Sequence, residues 1–125
     1  MERRTYPRVE VSQPVLYVSD IYPRPKVATT RDLGLEGVRI ESLYLLNQGE
    51  GLEITIAIAP QVIKCRGKVI HIVWLENGRM EAGIQFEGLS EADRLYLRQH
   101  LFNVMEQQAL EECLSLGKGP SESNE

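Results

Sequence analysis

LEITIAI, residues 52–58, decides the fold class of this 125-residue chain. Leu52, Ile54, Ile56 and Ile58 alternate with Glu53, Thr55 and Ala57. A period of two puts every apolar side chain on one face of an extended strand. Downstream, Pro60 ends this strand, and Val62 to Leu75 forms a long β-rich run. Its first half sets Ile63 and Cys65 against Lys64, Arg66 and Lys68, with Gly67 marking a bend. Its second half is apolar at both parities, Ile70, Ile72 and Trp74 against Val69, Val73 and Leu75, so both faces are expected to be covered there. Asn77-Gly78 follows, the strongest short hairpin signal. Met80, Ala82, Ile84 and Phe86 then share one face of the returning strand.

Upstream, Val9 to Val18 reads as a strand with an edge or bulge at Pro14. SDIYPRPK, residues 19–26, is a connecting loop, and Val27 to Arg31 a further strand. DLGLEG, residues 32–37, reads as a tight connection into Val38–Glu41, and residues 42–51 form a loop. After the last strand the period changes. Ser90 with Asp93 resembles a capping box, and Leu97, Leu101, Val104 and Met105 recur at helical spacing. A helix of roughly 40 Å is expected from about Glu91 to about Leu116. GKGPSESNE, residues 117–125, has nothing to bury and is expected to be disordered. About six antiparallel strands and one helix, which covers an open end or the doubly apolar part of the sheet, make a small barrel or sandwich.

The formal net charge is −4, against a general nucleic-acid binder, and 42% apolar residues suffice for one core without disulfides or metals. No apolar run approaches a membrane span, and the start carries no secretory signal. Cys65 and Cys113 lie far apart in different elements, which fits reduced thiols in a cytosolic protein. His71 reads as a core or sheet histidine and His100 as a solvent-facing helical one. No metal-ligand spacing, nucleophile elbow or phosphate loop is present, so the chain does not read as an enzyme.

Two stretches remain. Arg3-Arg4-Thr5-Tyr6-Pro7-Arg8 is a basic cluster in an acidic chain. On its own it reads as a solubilising tail, but guanidinium groups grip phosphates and guanine edges with paired hydrogen bonds and stack on bases. Asp32-Leu33-Gly34-Leu35-Glu36-Gly37 reads as a turn, in which glycine also lets a ligand approach the backbone and a carboxylate can accept from guanine N1–H and N2–H.

Together these stretches resemble the PilZ domain, a bacterial receptor for cyclic di-GMP. Arg4 and Arg8 match its Arg-x-x-x-Arg motif, with Arg3 as the frequent extra arginine. Asp32 and Gly37 match its second motif, where Gly34 replaces the usual Ser. AGIQFEGLSEADRLYLRQHLF, residues 82–102, is similar to the closing strand and helix of that family. The resemblance implies a six-stranded, Greek-key antiparallel β-barrel with a C-terminal helix. It also implies a ligand on the barrel's outer surface. Arg3, Arg4 and Arg8 would bind phosphates and guanines, Asp32 would read a guanine, and Gly34 and Gly37 would let the ligand sit against the strand. The serine hydroxyl that Gly34 lacks costs roughly 1.5–3 kcal/mol if its bond is not replaced. Arg39 shares strand parity with Gly37, but reads more safely as a solvated arginine.

The domain plan is therefore a flexible ligand-binding arm over 1–8, a barrel with its helix over 9–116, and a disordered tail over 117–125. The expected mechanism is a disorder-to-order switch in a stand-alone cytoplasmic adaptor with no cofactor, DNA, RNA or membrane partner. Its output would be a partner protein, engaged through the long helix, which could also support a homodimer. The alternatives are a PilZ-like protein-interaction module that does not bind the nucleotide, and an unrelated barrel for single-stranded nucleic acid. The second is disfavoured by acidity and by few stacking aromatics.

Overall fold

The computed structural model describes residues 8–123, with side chains to residue 116. Seven strands precede one helix: β1 (Arg8–Glu10), β2 (Pro14–Ser19), β3 (Lys26–Gly34), β4 (Gly37–Ser42), β5 (Gly51–Ile58), β6 (Gln61–Trp74), β7 (Met80–Glu87) and α1 (Glu91–Ser123). The sheet runs β1-β3-β2-β5-β6-β7-β4, all neighbours antiparallel, and pairing of β3 with β4 closes it. Six strands therefore form a closed barrel and β1 lies outside it. Closure leaves few unpaired edges.

The alternation in residues 52–58 holds: Leu52, Ile54, Ile56 and Ile58 are all buried, and face a core shared with Val15, Tyr17, Val38, Ile40 and Ile84. Asn77-Gly78 makes the β6–β7 turn, with Gly78 at φ 84°, a conformation glycine adopts without steric cost. The expected Val9–Val18 strand is two strands on the same edge of β3. Arg8–Glu10 pair with Asp32–Gly34, and Pro14–Tyr17 with Lys26–Thr29. The break before Pro14 is fastened by Gln13 N–H donating to Thr30 Oγ1 at 2.7 Å, and by Thr30 Oγ1 donating to Val11 O at 3.1 Å.

DLGLEG is a turn only at its centre. Asp32, Leu33 and Gly34 extend β3, and Gly37 opens β4. Gly67 does not mark a bend. It pairs regularly with Leu52, and a Cβ there would come within 2.5 Å of Ile54 Cδ1 and 2.6 Å of Ile84 Cγ2. Core packing, not conformation, requires this glycine.

The doubly apolar second half of β6 is not covered on both faces. The register against β7 shifts between Val69 and His71, so Ile70 is a bulge residue. Val69 faces the core at odd parity, whereas Ile72, paired with the buried Ala82, faces it at even parity. One extra residue exchanges the faces of everything after it. Ile70, Val73 and Trp74 are exposed, as is His71, a sheet but not a core histidine.

Ser90 caps α1, its Oγ accepting from Asp93 N–H at 3.1 Å. Leu97 and Leu101 enter the core, and Tyr96 Oη donates to Ile58 O at 2.6 Å, so the helix covers the barrel end at the β5–β6 turn. It does not lie on the doubly apolar run. Beyond this contact Leu110, Leu114 and Leu116 are exposed. The backbone continues helical to Ser123, where a disordered tail was expected from residue 117. Extending an existing helix requires no new nucleus, but Gly117 and Gly119 oppose it by about 1 kcal/mol each and Pro120 by about 3 kcal/mol, so local propensity does not account for this extension. His100 is half-buried rather than solvent-facing, with Nε2 enclosed and lacking a partner among the described residues.

Candidate ligand site on the outer face of β3, β4 and β7

A second bulge creates the site. The β3–β4 register shifts between Thr30 and Asp32, leaving Arg31 as the extra residue. Before it, even-numbered residues face inward: Ala28 pairs with the core residue Val15, and Thr30 with Ile40. After it, Leu33 pairs with Val9 and Val38 in the core, and Asp32 turns outward opposite Arg39 and Glu10. Were Arg31 paired regularly instead of bulged, the alternation would aim the Asp32 carboxylate at the apolar interior.

Asp32 is only 8% exposed, because arginines cover it. Arg8 Nε donates to Asp32 Oδ1 at 2.9 Å, and Arg8 Nη2 pairs with the same oxygen. Arg39 Nη2 lies 2.5 Å from Oδ2, and Arg39 Nη1 lies 3.0 Å from Glu81 Oε2 on β7. A charged chain thus crosses four strands, Arg8–Asp32–Arg39–Glu81. Beside it, Glu41 is the ladder partner of Glu81, a like-charge pair. Arg31 offsets it at 2.7 Å, with Asn77 Nδ2 donating to Glu41 at 3.1 Å. These two contacts hold the Glu41 carboxyl below its ordinary range.

The chain borders an open cleft of about 460 Å³, lined by Arg8, Asp32, Gly37, Arg39, Ile70 and Gly83 among others. That volume suits a small ligand. Gly83, opposite Arg39 in the ladder, leaves the floor without a side chain there. Gly37 has a second constraint, since a Cβ would lie 2.3 Å from Ile84 O on the neighbouring strand β7.

Three of the six residues singled out in the sequence, Arg8, Asp32 and Gly37, therefore surround one cleft. Gly34 is buried and is the direct ladder partner of Arg8. Arg3 and Arg4 lie outside the described residues. Arg39 and Glu81 were not selected. Arg39 is bound to two carboxylates rather than solvated, and its parity with Gly37 was the one available signal. Glu81 had none, because its role follows from the β4–β7 register.

Residues 2–103 match the PilZ domain family. The chain belongs to the PilZ domain family. PilZ domains are a cyclic di-GMP receptor family. The inhibitor of motility MotI from Bacillus subtilis resembles this PilZ chain with a TM-score of 0.76 at 14% identity, over 86% of this chain and 53% of that one. The PilZ domain of YcgR from Escherichia coli, solved with c-di-GMP, gives 0.68 at 16% identity over 90% and 98%. YcgR in complex with c-di-GMP gives 0.71 at 18%, over 92% and 51%. This PilZ chain thus spans about half the length of MotI and of YcgR. No curated protein matches. Among the described residues no cluster of His, Cys, Asp and Glu is arranged for a metal, and no helix is long and apolar enough to cross a membrane.

Proposed function

We propose that the chain is a cyclic di-GMP receptor and adaptor, not an enzyme, that works in the cytoplasm without a cofactor. The ligand lies in the cleft over β3, β4 and β7. Arg8 exchanges Asp32 for the ligand's phosphate and guanine edge. Arg3 and Arg4, carried just ahead of β1, complete the clasp. Asp32 reads a guanine, and Gly34 and Gly37 give the ligand close access to the backbone. The observation that carries this reading is the convergence of Arg8, Asp32 and Gly37 on one open cleft in a PilZ domain. The structures of YcgR with c-di-GMP support the choice of ligand.

The output is a partner protein, engaged or released as β1 rearranges. Leu110, Leu114 and Leu116, exposed on α1, are the surface offered to that partner or to a second copy in a homodimer. The competing reading is a PilZ module that does not bind the nucleotide. It is favoured by one observation: Arg8 and Asp32 already satisfy each other.

Calorimetric titration with cyclic di-GMP separates the two, comparing the wild type with an Arg4→Ala/Arg8→Ala double variant. Each lost charge-assisted bond should weaken binding about ten- to hundredfold. No heat from the wild type at high micromolar ligand would exclude the receptor. Equal binding by both proteins would exclude the assigned site.

A further inference from the structure

We infer that Arg39 is the residue that fixes Asp32 for guanine recognition, with Glu81 as its anchor. The inference rests on the cleft being the cyclic di-GMP site.

Asp32 is held by two cations that differ in how they are mounted. Arg8 comes from β1, a three-residue strand outside the closed barrel, paired with β3 alone in the sheet. Arg39 comes from β4, which is hydrogen-bonded on both edges, to β3 and to β7. Its guanidinium is a rigid planar fork, with one prong on Asp32 Oδ2 at 2.5 Å and the other on Glu81 Oε2 at 3.0 Å. Arg39 cannot turn toward a ligand without leaving both carboxylates. Its Nε is enclosed and has no acceptor among the described residues, so the two carboxylate contacts alone hold the guanidinium in this placement.

The two contacts therefore have different fates. When Arg8 moves to the ligand, Asp32 Oδ1 loses its cation and becomes available to a donor. Arg39 stays, so the carboxylate is neither left uncompensated beside the core nor free to rotate. Guanine offers N1–H and N2–H as two parallel donors, and a carboxylate accepts both only if its plane is aimed at them. Arg39 sets that plane. Glu81 balances the second half of its charge and keeps the guanidinium from following Arg8 out into the cleft.

A residue that only supports the fold would change affinity for every dinucleotide alike. A residue that aims Asp32 changes the choice between bases. The probes are cyclic di-GMP and cyclic di-IMP, whose hypoxanthines keep N1–H but lack the N2 amine. The wild type should prefer cyclic di-GMP by about tenfold or more, the value of one hydrogen bond to a charged acceptor. Arg39→Ala and Arg39→Lys should both bring that ratio close to one, since lysine keeps the charge but cannot fork between Asp32 and Glu81. Circular dichroism checks folding, and Arg39→Lys decides the matter if Arg39→Ala does not fold. An unchanged ratio in the folded variants overturns the inference, even with lower affinity for both ligands. So does a wild type that binds both equally. A wild type that binds neither overturns the receptor reading itself, and this inference with it.

Discussion

Gly37 lies on the cleft and packs tightly against β7 in the β4–β7 ladder, and one pair of substitutions measures the second role separately. In Gly37→Ala the added Cβ would lie 2.3 Å from Ile84 O and 3.2 Å from Ile84 C. A carbon approaches a carbonyl oxygen to about 3.3 Å, so the strands must part by about 1 Å. The obstacle is backbone on both sides and cannot rotate away. Overpacking of this kind costs about 1–3 kcal/mol. Against it, alanine restricts the unfolded chain and returns about 0.4–1 kcal/mol. Gly83→Ala supplies the internal control. Gly83 is also in the sheet, but its Cβ would meet His71 Cβ at 3.4 Å and Ile70 Cγ1 at 4.0 Å, ordinary contacts. The unfolded-state gain is common to both variants and cancels in their difference. Gly37→Ala should therefore be less stable than Gly83→Ala by about 1–3 kcal/mol, near the upper end because only backbone can yield. For a domain of this size that is a Tm difference of roughly 4–20 °C. Urea unfolding followed by Trp74 fluorescence and circular dichroism measures it as a shift in midpoint at constant slope. Equal stabilities, or Gly37→Ala the more stable, would refute the steric account and leave ligand approach as the only reason for glycine at this position.

Three further predictions concern groups away from the cleft. Burial pushes the Cys65 thiol up to about 11, whereas Cys113 is exposed on α1, so iodoacetamide at pH 8 should label Cys113 first and Cys65 only after unfolding, as read by mass spectrometry. Because the unfolded thiol ionises first, Cys65 also makes stability fall as pH rises through its ordinary value near 9, levelling near 11. Burial lowers the His100 pKa, so the unfolded state takes up a proton first as pH falls through 6.5, and stability declines below that pH. Urea unfolding between pH 7.5 and 5 should show this decline in the wild type and a flatter profile in His100→Gln; identical slopes would remove His100 as its source.

The elements that could be read from the sequence were those whose pattern is local. Leu52–Ile58 alternates without interruption, Asn77-Gly78 forms its own turn, and Ser90 caps the helix with its own hydroxyl. The misread parts depend on a partner strand. Arg31 and Ile70 are ordinary strand residues, and nothing in either marks a bulge; only the registers against β4 and β7 make them extra. Ile70 therefore produced an apparent two-faced apolar run, and Arg31 concealed that Asp32 belongs to a strand. The same limit applied to the cleft. Arg8, Asp32 and Gly37 were selected through their motifs, whereas Arg39 and Glu81 join them through ladder geometry that no single segment contains. Gly67 looked like a bend because a glycine in a strand has two common explanations, and Ile54 and Ile84 select between them only in three dimensions.

The strand that carries Arg8 also touches the helix: Gln108 Nε2 of α1 donates to Glu10 O at 3.3 Å. Only Val9 therefore separates the arginine at the cleft from the residue in contact with the element proposed to meet a partner. Binding free energies around such a contact are reciprocal. If a ligand that draws Arg8 away loosens Gln108, then a protein that captures α1 and loosens Gln108 must raise affinity for that ligand by the same factor. The receptor's sensitivity would then be set jointly with its partner, and the affinity of the isolated chain would be only the partner-free limit.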